Sequence, residues 1–528
     1  MFNDVQESLP VVTSRRPLRA GPARRIYDAL SQASFSVRQA DAARDYLKDQ
    51  LALARDLVPE LPADMHDVAD ALADQADKVG MQYRDYLAER KAGAPRRYFS
   101  TRAHALHFIR GVAPTKLVDR AWLYGLLNRS GGARYTPLVK TYLEELGDGV
   151  PGKNHVVLYN ALLDSNDCNT WQTLSDDHFV QGAIQLALAS HAEEFLPEII
   201  GFNLGYEQLP LHLLITSYEL NELGIDPYYF TLHVTIDNGS TGHAHRAVQG
   251  MLAAAPKMGD RDAYYQRVVN GYMLNSLGAS TESVIKNYSL DAEMLDVMVR
   301  KADVGKLVHS DYCRVGGRSV TDWLAEPDQI PGFLAAMEKH GWIKRNQDPQ
   351  NSRFWKLLQG ERAEMFGVFD GYERQVIHDW IAGDALTHPA PRVEGQPAPT
   401  FPPRQLSFRA RQRLFNTLAV HDDEAVGKTS VDGGKGFGGK PGAEGASEEL
   451  REFEDQLASA RTPAEARAHL IAWMSPALHH TEPGLLATRL FSRQLDASMV
   501  YRSPIQGTHG HGAARAPRRV SRICNGCL

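Results

Sequence analysis

Cysteine is scarce. The 528-residue chain has four, Cys168, Cys313, Cys524 and Cys527, too few for a disulfide scaffold and in keeping with a reducing, cytoplasmic setting. Long apolar runs are missing as well: none approaches the ~18 residues of a membrane span, which excludes a transmembrane protein. The first residues include Asp4 and Glu7 and no apolar segment, so no secretory signal is expected. Neither sign of charge dominates. Lys and Arg number 58 against 64 Asp and Glu, a net charge of −6, which gives no general support to binding nucleic acid or anionic membranes. No Gly-x-Ser-x-Gly motif is present to suggest a serine hydrolase. The hydrophobic share of 43% suffices for a sizeable core, and the length suggests two to four domains at roughly 150 residues each. What is plentiful is histidine, twenty residues, several beside carboxylates at ligand-like spacing.

Organisation follows from the apolar pattern. Residues 1–25 hold Arg15, Arg16, Arg19, Arg24 and Arg25 and read as a flexible basic arm; the early acids argue against a mitochondrial targeting segment. From 26 to 300 the apolar residues recur at three- and four-residue steps, the period of helices. Pro59 and Pro62 break the first stretch into two helices. Asp176 and Asp177 open a long one, and Asp226-Pro227 suits the cap and first position of another. The expected fold class is therefore all-α, a helical bundle over 26–300. Residues 305–386 read as a small α/β, winged-helix-like appendage, with a helix at Pro331–His340 and a strand at Ser352–Leu358. Its eight basic and six acidic residues between 305 and 360 are too balanced for a DNA reader. Residues 387–446 form a Pro/Gly-rich linker with a short amphipathic helix at Arg404–Val420. The segment 447–500 is helical, with Ser447–Trp473 expected as an isolated amphipathic helix, and 501–528 is a disordered basic tail. Its CxxC, Cys524 to Cys527, could chelate a metal or cycle as a dithiol, but four ligands are needed for a closed zinc site.

Three groups of residues carry metal chemistry. In Tyr228–Asp237, His233 and Asp237 are four residues apart and face one side of a helix; an imidazole and a carboxylate so placed suit iron, manganese or zinc. His243 and His245 follow, off that face in a regular helix, so either would need a bulge at Gly239 or Gly242 to join. Glu145 and His155 end and begin two helices joined by a glycine-rich loop, with Glu144 and Asp148 as rival carboxylates. Glu207 lies in a strongly apolar stretch, where an ionised carboxylate would cost on the order of several kcal/mol unless paired or bound to a cation. Taken singly, each group also reads as a helix cap, a solvated helix end or a hydrogen-bonded core residue. Together they supply three carboxylates and three histidines, the donor balance of a two-iron centre in a helical bundle.

The combination of Tyr206-Glu207-x-x-Pro210, His233-x3-Asp237 and Glu145-x9-His155 resembles the haem-oxygenase-like di-iron oxidases and oxygenases, also called iron-containing redox enzymes. The likeness covers roughly 95–300, with 341–343 and 365–369 resembling an extension of longer members. It implies a haem-oxygenase-like helical bundle without haem and two irons per chain held by Glu145, His155, Glu207, His233, Asp237 and His243. The family's last histidine usually stands three residues after the aspartate, where this chain has Ser240; His243 takes the role through a bulge, with His245 as competitor. The implied activity uses O2 as co-substrate for hydroxylation, N-oxygenation, desaturation or C–C cleavage of a small organic molecule. Asp119, Trp122, Tyr206 and Tyr229 are the expected substrate-binding residues, and no catalytic residue beyond the ligands is named. A small-molecule substrate is the expected partner, with an external electron donor and a homodimer as further candidates, and neither membrane nor nucleic acid. The rival reading is a catalytically inert helical scaffold with a C-terminal binding module.

Overall fold

The computed structural model describes residues 20–236, 242–310, 312–360, 363–386 and 443–500. Residues 1–19, Asp237, the helix expected at Arg404–Val420 with its Pro/Gly surroundings, and the tail with Cys524 and Cys527 lie outside the described residues. The protein is all-α. Helices α1 (Pro22–Leu30), α2 (Val37–Arg55) and α3 (Val68–Lys91) lead into α4 (Arg102–Lys116), α5 (Thr136–Glu145), α6 (His155–Ser165), α7 (Val180–Ser190) and α8 (Leu196–Tyr206). There follow α9 (Leu211–Glu222), α10 (Tyr228–Ile236), α11 (His243–Ala254), α12 (Arg261–Met273), α13 (Thr281–Lys286) and α14 (Leu290–Val308). None of the described helices is long and apolar enough to cross a membrane.

Local chemistry accounts for most of these boundaries. Ser36 and Gln39 form a reciprocal capping box at the start of α2, and the Asp226 carboxylate accepts from Tyr228 N at 3.0 Å to open α10. Helix α1 begins inside the stretch expected to be a flexible arm. Its free amides are satisfied from afar, since the Asp176 carboxylate accepts from Ala23 N and Arg24 N. Asp176 therefore caps a helix more than a hundred residues upstream, and its own segment is a 3-10 turn (Asp176–Phe179) leading into α7.

Beyond the bundle come a two-residue antiparallel ladder, β1 (Arg314–Val315) with β2 (Arg318–Ser319), and α15 (Val320–Leu324), α16 (Ile330–Lys339), α17 (Arg353–Leu358) and α18 (Gly371–Ala382). The strand expected at Ser352–Leu358 is instead α17. Phe354, Trp355 and Leu358 fall on one helical face and are buried by it, a pattern too short for periodicity alone to separate from a strand. The segment expected to be one isolated helix, Ser447–Trp473, is two: α19 (Ala443–Ser459) and α20 (Pro463–Trp473), parted at the Thr462–Pro463 helix start. With α21 (Glu482–Val500) they pack onto the bundle.

Two buried cores result. One joins α2, α5, α7, α8 and α12 to the C-terminal helices through residues such as Leu143, Phe202, Met474 and Phe491. The other joins α4, α6 and α10 to the 315–381 region through Phe108, Tyr159, Tyr229 and Tyr372. A buried polar cluster is drawn from elements on both sides of that seam.

Candidate metal centre

Helix ends supply the cluster. After α4, Arg120 adopts a left-handed backbone conformation (φ 66°), which sharply redirects the chain so that Asp119 and Arg120, neighbours in sequence, are both buried in the same cluster. Glu145 is the last residue of α5 and His155 the first of α6. The loop between them has positive φ at Gly147, Asp148 and Gly149, and Asn154 caps α6 by accepting from Val157 N at 3.1 Å. Glu207 follows the last residue of α8, His233 lies on α10, and His243 opens α11.

These side chains form two donor groups. Asp119, Glu145, His155 and His233 each offer an atom within 4.8 Å of the others, and so do Glu145, Glu207 and His243. All six residues are buried, and Glu145 belongs to both groups. His155 Nδ1 is 2.5 Å from Glu145 Oε2, and His243 Nδ1 is 2.9 Å from Glu145 Oε1 and 3.5 Å from Glu207 Oε2. His233 Nε2 lies 3.6 Å from Asp119 Oδ2.

The surroundings prepare the imidazoles as ligands. His233 Nδ1 donates to the Tyr229 carbonyl at 2.9 Å; a carbonyl can only accept, so the proton sits on Nδ1 and the Nε2 lone pair faces the cluster. His243 is held from behind in the same way. Its Nε2 is 3.0 Å from Glu144 Oε2, and Arg246 grips that carboxylate with two hydrogen bonds at 2.7 and 2.8 Å. Tyr229 donates its hydroxyl to Asp119 Oδ2 at 2.9 Å. Asp119 Oδ1 and His155 Nε2 have no hydrogen-bond partner among the described residues, and groups left so in a dry interior are costly unless something binds them. Carboxylate and imidazole donors of this kind suit iron, manganese or zinc. The residues fit a metal.

Electrostatics favour the charged carboxylates. Burial alone would raise Glu145, but the Arg120 guanidinium and His155 outweigh it and hold it well below the usual carboxylate range. Asp119 is held low against its burial chiefly by Lys116 and His155. His155 is pushed up to about 9, Glu145 and Asp119 overcoming its desolvation. Glu144 falls to about 2, burial being outweighed by His243 and Arg246. Arg120, wholly buried, reaches Glu145 at 3.0 Å and Glu207 at 3.1 Å and lies against the rings of Trp122 and Tyr206.

Of the six residues expected as ligands, Glu145, His155, Glu207, His233 and His243 come together, and Asp237 lies outside the described residues. His245 is exposed and bonded to Gln249, Glu144 backs His243, and Asp148 accepts from Ser492. Asp119, expected to bind substrate, stands among the metal-type donors. Trp122 is fully buried, gives its N–H to Asn203 and packs against Tyr206, and Tyr206 and Tyr229 lie beside the cluster with Lys116, whose ammonium donates to Tyr206 at 2.9 Å. Arg120, Lys116 and Arg246 gave no signal in the sequence. A basic residue at a helix end is ordinary, and only the tertiary fold reveals that Arg120 is buried between two carboxylates.

Residues 106–274 match the family described as iron-containing redox enzyme, a stretch that contains every member of both donor groups. No curated protein and no solved structure matches the chain.

Proposed function

From the match of residues 106–274 to the iron-containing redox enzyme family, we propose that the chain is a non-haem di-iron, O2-activating oxidoreductase acting on a small organic substrate. The observation that carries the reading is the pair of buried donor groups sharing Glu145, an arrangement suited to a carboxylate lying between two metal ions. One iron would be held by Asp119, Glu145, His155 and His233. The other would be held by Glu145, Glu207 and His243, with Asp237 as the further ligand expected from sequence. Iron bound there supplies the activation of dioxygen for hydroxylation, N-oxygenation, desaturation or C–C cleavage.

The chain's own residues set the conditions. Tyr229 fixes Asp119 through its hydroxyl and His233 through its carbonyl, while Glu144 and Arg246 fix His243. The low exposure of all six donors keeps bulk water from the reacting centre. Tyr206, Tyr229 and Lys116 are the side chains proposed to meet the substrate. A cytoplasmic location, an external electron donor and a homodimer belong to the same reading.

Anaerobic titration with Fe(II) should saturate at about two irons per chain, and admission of air should give a transient visible absorption. His233→Ala and Glu145→Ala should each remove tight binding and the optical change. Tight iron loading that survives both substitutions would overturn the assignment, and a chain that takes up no iron would return the reading to an inert scaffold.

A further inference from the structure

The loop that joins Glu145 to His155 is rich in glycine and is closed by two 3-10 turns of its own. It reads Leu146-Gly147-Asp148-Gly149-Val150-Pro151-Gly152-Lys153-Asn154, with three glycines and three consecutive residues at positive φ, so its unbound ensemble is broad. Yet the residues at its two ends are neighbours at 2.5 Å in the donor cluster. Beyond the loop's own turns, restraint comes from a segment more than three hundred residues later and outside the family match.

Three kinds of contact pin the loop to α21 and the turn that precedes it. At its centre, Gly149 is packed so closely that a Cβ would sit 2.3 Å from the Leu485 carbonyl oxygen and 2.9 Å from Arg489 N. At its rim, Arg489 donates to the Gly149 carbonyl at 3.1 Å and Ser492 to the Asp148 carboxylate at 3.1 Å. At its root, the amide nitrogen of Asn154 donates to the Leu146 carbonyl at 3.3 Å and to His479 Nδ1 at 3.1 Å, while its oxygen caps α6. One side chain thus ties the residue after Glu145 to the residue before His155, and His479 anchors that amide through its ring Nδ1, with its own carbonyl a longer 3.5 Å away. A single apolar core underlies these bonds, with the Tyr142 hydroxyl donating to the Met474 carbonyl at 2.7 Å.

We propose that the C-terminal helices are a working part of the metal site, with His479 acting through Asn154 as the positioning residue for Glu145 and His155. The proposal rests on the reading of those two residues as metal ligands. His479 is 2% exposed, and burial pushes its imidazole down to about 3, so the ring stays neutral and Nδ1 remains an acceptor at working pH.

Full-length His479→Leu keeps an apolar side chain but removes the acceptor; His479→Asn puts an amide oxygen near the place of Nδ1. Two readouts are needed: hydrogen exchange of amides 146–155, and Co(II) affinity by calorimetry together with its ligand-field absorption. In H479L, exchange of the loop should rise above that of wild type and Co(II) affinity should fall by about tenfold or more, the range typical of residues that orient ligands. H479N should restore both to within about threefold, a partial loss at most for a residue that keeps the acceptor, with thermal midpoints of the two variants alike. Loop exchange or Co(II) affinity unchanged in H479L overturns the proposal. Should wild type bind no Co(II), the metal reading itself fails, whereas the exchange data still decide whether His479 braces the loop. If H479L does not fold, the double variant R489Q/S492A removes the two rim bonds from outside the core, and it should raise loop exchange and weaken Co(II) binding in the same direction; no change in either overturns the proposal.

Discussion

Arg120 pairs with two of the cluster's carboxylates. It is a wholly buried guanidinium, in a backbone conformation that non-glycine residues adopt at a cost of order 1 kcal/mol, and its partners are Glu145 and Glu207. Breaking a buried ion pair from one side leaves charge stranded, typically at about 3–5 kcal/mol. Arg120→Met should lower the thermal midpoint of the chelator-treated protein by a corresponding amount, and Mn(II) or Co(II) should restore much of it by neutralising the same carboxylates. A midpoint that falls without recovery on adding metal would show that Arg120 serves packing alone. Arg120→Lys should be intermediate, since an ammonium lacks the planar fork that reaches two carboxylates at once.

The helix pair α8 and α12 is the element that places Glu207. Their backbones touch at two glycines: a Cβ on Gly201 would lie 1.8 Å from the Val268 carbonyl oxygen, and one on Gly271 would lie 2.1 Å from that of Glu198. Both obstacles are main chain and cannot rotate away, so the helices must part. Gly201→Ala or Gly271→Ala should destabilise by about 1–3 kcal/mol, read as a lower urea midpoint, and should weaken Co(II) binding because Glu207 moves with the end of α8. Helix identities were legible where the apolar period runs over several turns, as in α7. Short elements were not: α17 has six residues, too few to tell a helical face from a strand. Nor could the pattern show that Asp176 caps α1, a contact made across more than a hundred residues.

Stability of the whole molecule should fall in acid for reasons that lie partly outside the metal cluster. Glu293 on α14 is buried, which alone would raise it, but His107, Arg110 and Arg300 bring it from 4.5 to about 2. A depressed carboxyl contributes its full stabilisation above its unfolded value and loses it as pH falls through the folded one, so this share fades between about 4.5 and 2 and is at most about 3 kcal/mol. Thermal midpoints across that window should fall less steeply in Glu293→Gln than in wild type; equal slopes would remove Glu293 from the account. At this scale the division between sequence and fold is also clearest. The chain's own order of residues determined the helical class, the donor types and four of the side chains that meet in the cluster, because periodicity and chemical character are local properties. Three matters were decided only by tertiary packing. Asp119 joined the donors, since a single left-handed residue turns the chain at the end of α4. His243 rather than His245 entered the cluster, since that choice depends on where α11 begins. Arg120, His479 and the C-terminal helices came to bear on the site because ion pairs and hydrogen bonds form between residues that sequence separation does not relate.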